Sequence, residues 1–336
     1  MNARERVAKI LNFEEADRLP RNLWTLPAIP MFRQNELDEV NRMFEFDISS
    51  PDYTYGAGKR FAGAANQTGH YTDAWGSVWY AAESGVAGEV KRYPLADWSA
   101  LDHYELPWEL LDEADLSRVN ESCKQSDKFI LAGTETRPFE RMQFLRGTEN
   151  LFMDLASSEP EAYKLRDMLH EFFVREITMW AQTDVDGISF MDDWGTQRSL
   201  LISPELWRKF YKPLYKEYCD IIRGHHKYAF FHSDGNIEAI YPDLIEIGVN
   251  AVNSQLFCMD IERLGELYAG KIVFWGEIDR QRILPFGTAR DVKNAVDRAA
   301  KALLRRGRTG VIAQCEWGKN DSIENIKAVF EQWNQY

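Results

Sequence analysis

From residue 128 onward the chain alternates short apolar runs with longer amphipathic stretches, and few folds accommodate that alternation. The apolar runs are 128–133, 186–191, 228–232, 249–253, 272–276 and 310–314. Between them, 159–182, 203–224, 236–247, 260–268, 287–306 and 321–333 carry the apolar spacing of helices. Ser203-Pro204-Glu205 supplies an N-cap and a proline at the first helical position. Short apolar strands separated by helices imply a parallel sheet with both faces covered. A further strand near Asn22-Leu23-Trp24 makes seven, one short of a closed (β/α)8 barrel. The eighth is sought within 137–147, where strand and helix patterns do not separate. The predicted fold class is therefore α/β, a (β/α)8 TIM barrel.

Upstream, 3–12 and 34–46 read as helices, and Asp17-Arg18-Leu19-Pro20 breaks the first of them. Residues 50–127 are rich in Gly, Tyr and Trp, with a hairpin from Ser77–Tyr80 to Glu89–Arg92, and read as a cap without a large core of its own. The 336 residues would allow two domains, but the pattern favours one, 1–336, with 50–127 as its cap or insertion. With 53 acidic against 40 basic residues and no basic block, the chain repels phosphate backbones, which excludes nucleic acid as an expected partner. Cys123, Cys219, Cys258 and Cys315 form no CxxC pair, and the N-terminus has no apolar leader core. No stretch is apolar enough to span a bilayer, so no membrane partner is expected. Reduced thiols and a cytoplasmic location are the expectation.

Barrel chemistry sits just beyond the C-terminal ends of the strands. Polar groups gather there: Thr134-Glu135, Asp192-Asp193-Trp194, His232-Ser233-Asp234-Gly235, Asn253-Ser254-Gln255, Glu277 with Asp279, and Cys315-Glu316. His232, Asp234 and Cys315 are candidate metal ligands, a set that suits Zn²⁺ with one open position. The alternative is that His232 bonds the rim, Asp234 caps the next helix and Cys315 packs. Asp192 and Asp193 are adjacent and point apart, so one can serve as base or substrate ligand while the other caps the loop. Glu277 and Asp279 are acid/base groups or a fourth ligand, or pair with Arg280. Trp24, Trp75, Trp79 and Trp194 either wall a pocket, with Gln255 as a polar contact, or pack the core. Gly56-Ala57-Gly58-Lys59 is neither a dinucleotide nor a phosphate loop, and no G-x-S-x-G occurs.

Several segments together resemble the uroporphyrinogen decarboxylase superfamily: Asp17-Arg18-Leu19-Pro20, Asp73-Ala74-Trp75-Gly76, Phe144-Leu145-Arg146-Gly147, Asp192-Asp193-Trp194-Gly195, His232-Ser233-Asp234-Gly235 and Gly276-Glu277-Ile278-Asp279. The resemblance covers nearly the whole chain and implies one barrel with a cleft at the strand C-termini. In the decarboxylase branch a Met-Arg-Gln-Ala-Gly-Arg segment follows the first strand. Here the matching Trp24–Met31 has no arginine between Arg21 and Arg33. A substrate with many carboxylates needs fixed cations.

The resemblance therefore points to the corrinoid-linked methyltransferase branch, whose zinc is held by His-x-Cys and a distant Cys. His232 and Cys315 match the outer positions, and Asp234 replaces the middle Cys. This implies a zinc-type methyltransferase exchanging a methyl group between a small organic substrate and a corrinoid. Carboxylate in place of thiolate makes the site harder and favours an oxygen-containing substrate. No Asp-x-His-x-x-Gly occurs in this sequence, so the corrinoid would arrive on a partner protein. The expected partners are thus a small molecule and a corrinoid protein, with a homodimer left open. The implied catalytic residues are Asp192, Asp193 and Glu277, and the implied substrate contacts are Trp24, Trp75, Trp194 and Gln255. The alternatives carried forward are a metal-free decarboxylase or lyase and a non-catalytic small-molecule-binding barrel.

Overall fold

The computed structural model describes residues 1–305 and 309–336. Eight parallel strands form a nearly closed barrel: β1 (Arg21–Thr25), β2 (Ile48–Ser49), β3 (Phe129–Gly133), β4 (Gly187–Met191), β5 (Tyr228–Ser233), β6 (Ala251–Ser254), β7 (Val273–Trp275) and β8 (Val311–Trp317). Their order around the sheet is β1-β8-β7-β6-β5-β4-β3-β2. Seven strands lie where the apolar runs put them. The eighth does not: 137–147 holds a helix, Pro138–Arg146, and the missing strand is the two-residue Ile48–Ser49.

Side chains alternate across each strand, and two cores record the two faces. Phe129, Leu131, Phe230, Ala251, Val273, Trp275 and Ile312 fill the barrel. Ile130, Ala132, Ile188, Phe190, Phe231, Val252, Phe274, Ala313 and Cys315 meet the surrounding helices. The helix Ala3–Leu11 plugs the bottom of the barrel with Val7, Ile10 and Leu11, its first turn closed by an Asn2/Glu5 capping box. The 203–224 stretch divides into Pro204–Phe210 and Lys212–Gly224, with Pro213 in the first turn of the second helix. The 287–306 stretch forms Ala289–Leu303, and its residue 306 lies outside the described residues.

In the cap, Val78–Ala81 pairs antiparallel with Glu89–Arg92 as expected, and Gly69–Thr72 adds a third strand. Glu176, on helix Pro160–Ala181, ties this region to the barrel. Fully buried, it accepts the Tyr55 hydroxyl at 2.6 Å, the Glu135 N–H at 2.8 Å and the Thr136 hydroxyl at 2.8 Å. Burial pushes its carboxyl from 4.5 up to about 7, with the hydrogen bonds pulling the other way. The unfolded chain releases this proton first, so the group's contribution is full below about pH 4.5 and is lost as pH rises to about 7. Glu176→Gln should flatten the fall in stability across that window, measured by urea melts at several pH values. An unchanged slope would refute the assignment.

Candidate active site

The alternation of each strand continues into the loop beyond it and sorts the polar residues. Asp192 keeps the outward phase of Ile188 and Phe190, whereas Asp193 turns inward. Asp192 is fully buried and spends both oxygens on structure. It accepts the N–H groups of Phe139 at 2.9 Å and Glu140 at 2.8 Å, and the Tyr215 hydroxyl at 2.5 Å. It thereby caps helix Pro138–Arg146, which has no side-chain cap of its own. Burial raises the Asp192 carboxyl to about 7 against these hydrogen bonds.

His232 follows Phe230 on the inward row of β5. Its ring stands edge-on to Trp24 at 5.3 Å, and its Nδ1 lies 2.7 Å from Asn253 Oδ1. Asn253 has its amide orientation fixed, because its Nδ2 donates to the Trp275 carbonyl at 2.6 Å. His232 Nδ1 must then be the donor to Asn253, so that in the neutral ring the lone pair is on Nε2. Nε2 faces Asp193 Oδ1 and Asp234 Oδ1, each at 3.6 Å. Asp234 Oδ1 is buried and has no hydrogen-bond partner. The other oxygen of Asp234 pairs with Arg280, so Asp234 is not a helix cap.

The loops carrying the two aspartates touch. The Asp234 N–H donates to Asp193 Oδ1 at 2.9 Å, and the Gly195 N–H donates to the Asp234 carbonyl at 3.0 Å. Gly235 has φ +78, and a Cβ there would lie 2.1 Å from the Gly195 carbonyl oxygen, so only glycine permits this approach. Asp193, His232 and Asp234 place their ligand atoms within 4.8 Å of one another. Zinc bound to N and O donors at about 2.0–2.2 Å has donor–donor edges of about 3.4 Å in a tetrahedron. The three donors therefore fit a divalent metal.

Cys315 does not join them. It is fully buried in the outer core, in register with Leu23, whereas its neighbours Gln314 and Glu316 take the inward phase of Ile312. Glu316 reaches Arg280, which also pairs with Asp234 and stands 3.7 Å from Glu277. Burial alone would lower the Arg280 pKa, but Glu277, Asp234 and Glu316 outweigh it and raise it. Glu277 is buried, and burial raises its carboxyl well above the usual range. Its Oε1 has no partner. Glu277 and Arg280 line a cavity of about 370 Å³ with Gln255, Cys258 and Asp279. Within it Gln255 holds the Gly235 N–H at 3.1 Å, and Asp279 caps its own loop through the Gln281 and Arg282 N–H groups at 2.9 Å.

Trp24 meets the His232 ring edge-on, but Trp194 is fully buried, stacked on Phe139 at 3.9 Å. Trp75 lies in the cap against Phe172 and lines a second cavity, whose wall does not include His232. The sequence reading placed Asn253 and Glu316 only among the polar strand ends, saw Arg280 only as a pairing option for Glu277 and Asp279, and missed Glu140. Glu140 flanks Asp193, and burial followed by the Asp193 charge raises it to about 8. The polar residues Gln314 and Glu316, two apart in an otherwise apolar strand, were the available signal for the inward face.

Among solved structures, a methyltransferase from Methanosarcina mazei is similar over 100% of this chain and 99% of its own, with TM-score 0.72 and 15% identity, which shows the shared fold. An endo-beta-1,4-xylanase from Gloeophyllum trabeum matches over 95% and 97% of the two chains, with TM-score 0.46 and 10% identity. A D-psicose 3-epimerase matches over 65% and 79%, with TM-score 0.37 and 15% identity. No curated protein matches in sequence. The family model for uroporphyrinogen decarboxylase (URO-D) matches residues 77–336, which include the six strand ends from β3 to β8. A match across that much of the barrel establishes kinship, and the chain belongs to the uroporphyrinogen decarboxylase family.

Proposed function

We propose that this protein is a metal-dependent methyltransferase that moves a methyl group between a small organic molecule and a corrinoid carried on a separate protein. The observation that carries the reading is His232 Nε2 facing Asp193 Oδ1 and the unpartnered Asp234 Oδ1. These three residues, and not Cys315, are the proposed ligands. Zinc bound there would act as a Lewis acid on the heteroatom that gives up or receives the methyl group.

The chain's own residues supply the rest. When a methyl group leaves a heteroatom, the bonding electron pair stays behind and negative charge builds up on that atom. Four carboxylates surround the position (Asp193, Asp234, Glu277 and Glu316), and Arg280 pairs with three of them. Without a further cation, this environment would oppose the charge that develops. Asn253 fixes the His232 tautomer, Arg280 holds Asp234 through its other oxygen, and Trp24 shields the imidazole from water. The unpartnered Glu277 Oε1 is the group placed to orient a bound substrate. The donor set of one nitrogen and two oxygens is harder than a thiolate set, which favours an oxygen-linked methyl group.

The decarboxylase reading lacks its cations in the segment after β1. No arginine occurs between Arg21 and Arg33 after β1, and Arg280 is already held by carboxylates. The test offers the protein uroporphyrinogen and, separately, methylcobalamin with a panel of phenolate and thiol acceptors. We expect chelator-sensitive demethylation of methylcobalamin and intact uroporphyrinogen. Products that have lost carboxylates, with no demethylation, would overturn the reading.

A further inference from the structure

Between the cap and the barrel lies a cavity of about 520 Å³ that the site around His232 does not use. Its walls include the aromatic residues Tyr71, Trp75, Trp79, Phe144 and Phe172. Two arginines close its barrel side. Arg141 is 5% exposed, lies 4.4 Å from the centre of the Trp75 ring, and reaches Asp73 at 3.3 Å and Glu135 at 3.5 Å. Its Nε is buried with no acceptor. Arg137 has a buried Nε in the same condition, and its side chain makes no ion pair or hydrogen bond with any described residue.

Of the acids in the cavity wall, Asp73 and Glu176 are committed elsewhere and Glu135 reaches Arg141, while the charges of Glu135, Glu140 and Asp193 act on Arg137 without a hydrogen bond to it. Asp73 accepts the Ser77 N–H at 2.8 Å and Trp79 Nε1 at 2.9 Å besides Arg141. Glu176 has both oxygens hydrogen-bonded. A buried guanidinium N–H without an acceptor is unfavourable, and a carboxylate satisfies it best because its two oxygens match the donor fork. Flat aromatic walls favour a flat ligand that can stack on them. One unpaired arginine matches one carboxylate, not many.

We propose that this cavity binds a planar aromatic monocarboxylate, with its carboxylate on Arg137 and Arg141 and its ring against the Trp75, Trp79 and Phe144 wall. The cavity has room for substituents on the ring. The assignment uses none of the proposed metal ligands, although the Arg137 charge acts on Asp193.

The probe is benzoate, followed by calorimetry and by tryptophan fluorescence on the full chain. We expect saturable one-to-one binding. Benzamide, which lacks the charge, and cyclohexanecarboxylate, which lacks the flat ring, should each bind about tenfold or more weakly. Arg137→Gln should weaken benzoate by a similar factor, and Arg137→Lys, which keeps the charge but not the fork, should fall between. His232→Ala should leave benzoate affinity within about twofold, because the carboxylate is not expected on a metal there. The proposal is overturned if benzamide equals benzoate, if Arg137→Gln has no effect, if benzoate fails to saturate by about 10 mM, or if His232→Ala abolishes its binding. A folded Arg137→Lys variant, checked by thermal melting, keeps the test decisive even if Arg137→Gln is unstable.

Discussion

Protein purified without chelator is expected to carry about one equivalent of zinc, and His232→Ala to carry less than about a tenth of that. Asp193→Ala should behave like His232→Ala, whereas Cys315→Ala should keep its metal. The reason is geometric. His232 Nε2 stands 3.6 Å from each of two carboxylate oxygens, while Cys315 is buried in the outer core in register with Leu23. Losing a ligand should also lower methyl-transfer activity by about 10³-fold or more, because the charge left on the heteroatom would then face the carboxylates without the metal's charge to offset it. Asn253→Leu removes no ligand but frees the imidazole tautomer. Its expected effect is about a 10–100-fold loss of zinc affinity. Metal content by mass spectrometry and affinity by competition with a chelating dye would read these outcomes. If Cys315→Ala lost the metal while Asp193→Ala retained it, the ligand set drawn from the structure would be wrong.

The contrast between Cys315 and Asp193 shows where the sequence was legible. Strand positions were readable because each apolar run is bounded by turn residues and followed by a helix. Which face a residue takes was harder, since a parallel strand buried on both sides shows little alternation. All seven residues of β8 are buried, so Cys315 and Glu316 differ only in phase. The polar pair Gln314 and Glu316 carried that phase, because polar side chains in such a strand belong at the open end of the barrel. Trp194 looked like a pocket wall beside the aspartates, yet it shares the outward layer with Phe139 and Tyr211, to which it is 4.7 Å away.

The helix at Pro138–Arg146 was ambiguous for a different reason. The cap of its first turn is Asp192, 52 to 53 residues further along the chain, and local sequence contains no trace of that bond. The true eighth strand has only two residues, too few for any period to register. Arg280 was visible only as a pairing option for Glu277. Its contacts with Asp234 and Glu316 come from two other strand ends, which only the closed barrel brings together.

Barrel closure itself rests on a buried charge that supports the second large prediction. The sheet begins at β1 and ends at β2, so the barrel needs something to hold that seam. Asp47, immediately before β2, is fully buried and spans it. Its N–H donates to the Arg21 carbonyl at 2.9 Å, and its Oδ2 accepts the Arg21 N–H at 2.7 Å. On the other side, the Asp47 carbonyl accepts the Phe129 N–H of β3 at 2.9 Å. The same carboxylate accepts Arg6 Nη1 from the plug helix at 2.5 Å and Arg18 Nη1 at 2.6 Å. One residue thus joins both strand edges, and its side chain ties the plug and the Asp17-Arg18 turn to β1. Asp47→Ala leaves Arg6, 5% exposed, without its inner partner, and removing one member of a buried pair typically destabilises by about 3–5 kcal/mol. Asp17 also binds Arg6, at 2.7 Å, but its side chain is 46% exposed, so Asp17→Ala should lose only about 1 kcal/mol or less. Urea unfolding of the two variants side by side separates these values. Equal losses would mean that the arginines, not the buried carboxylate, hold the seam.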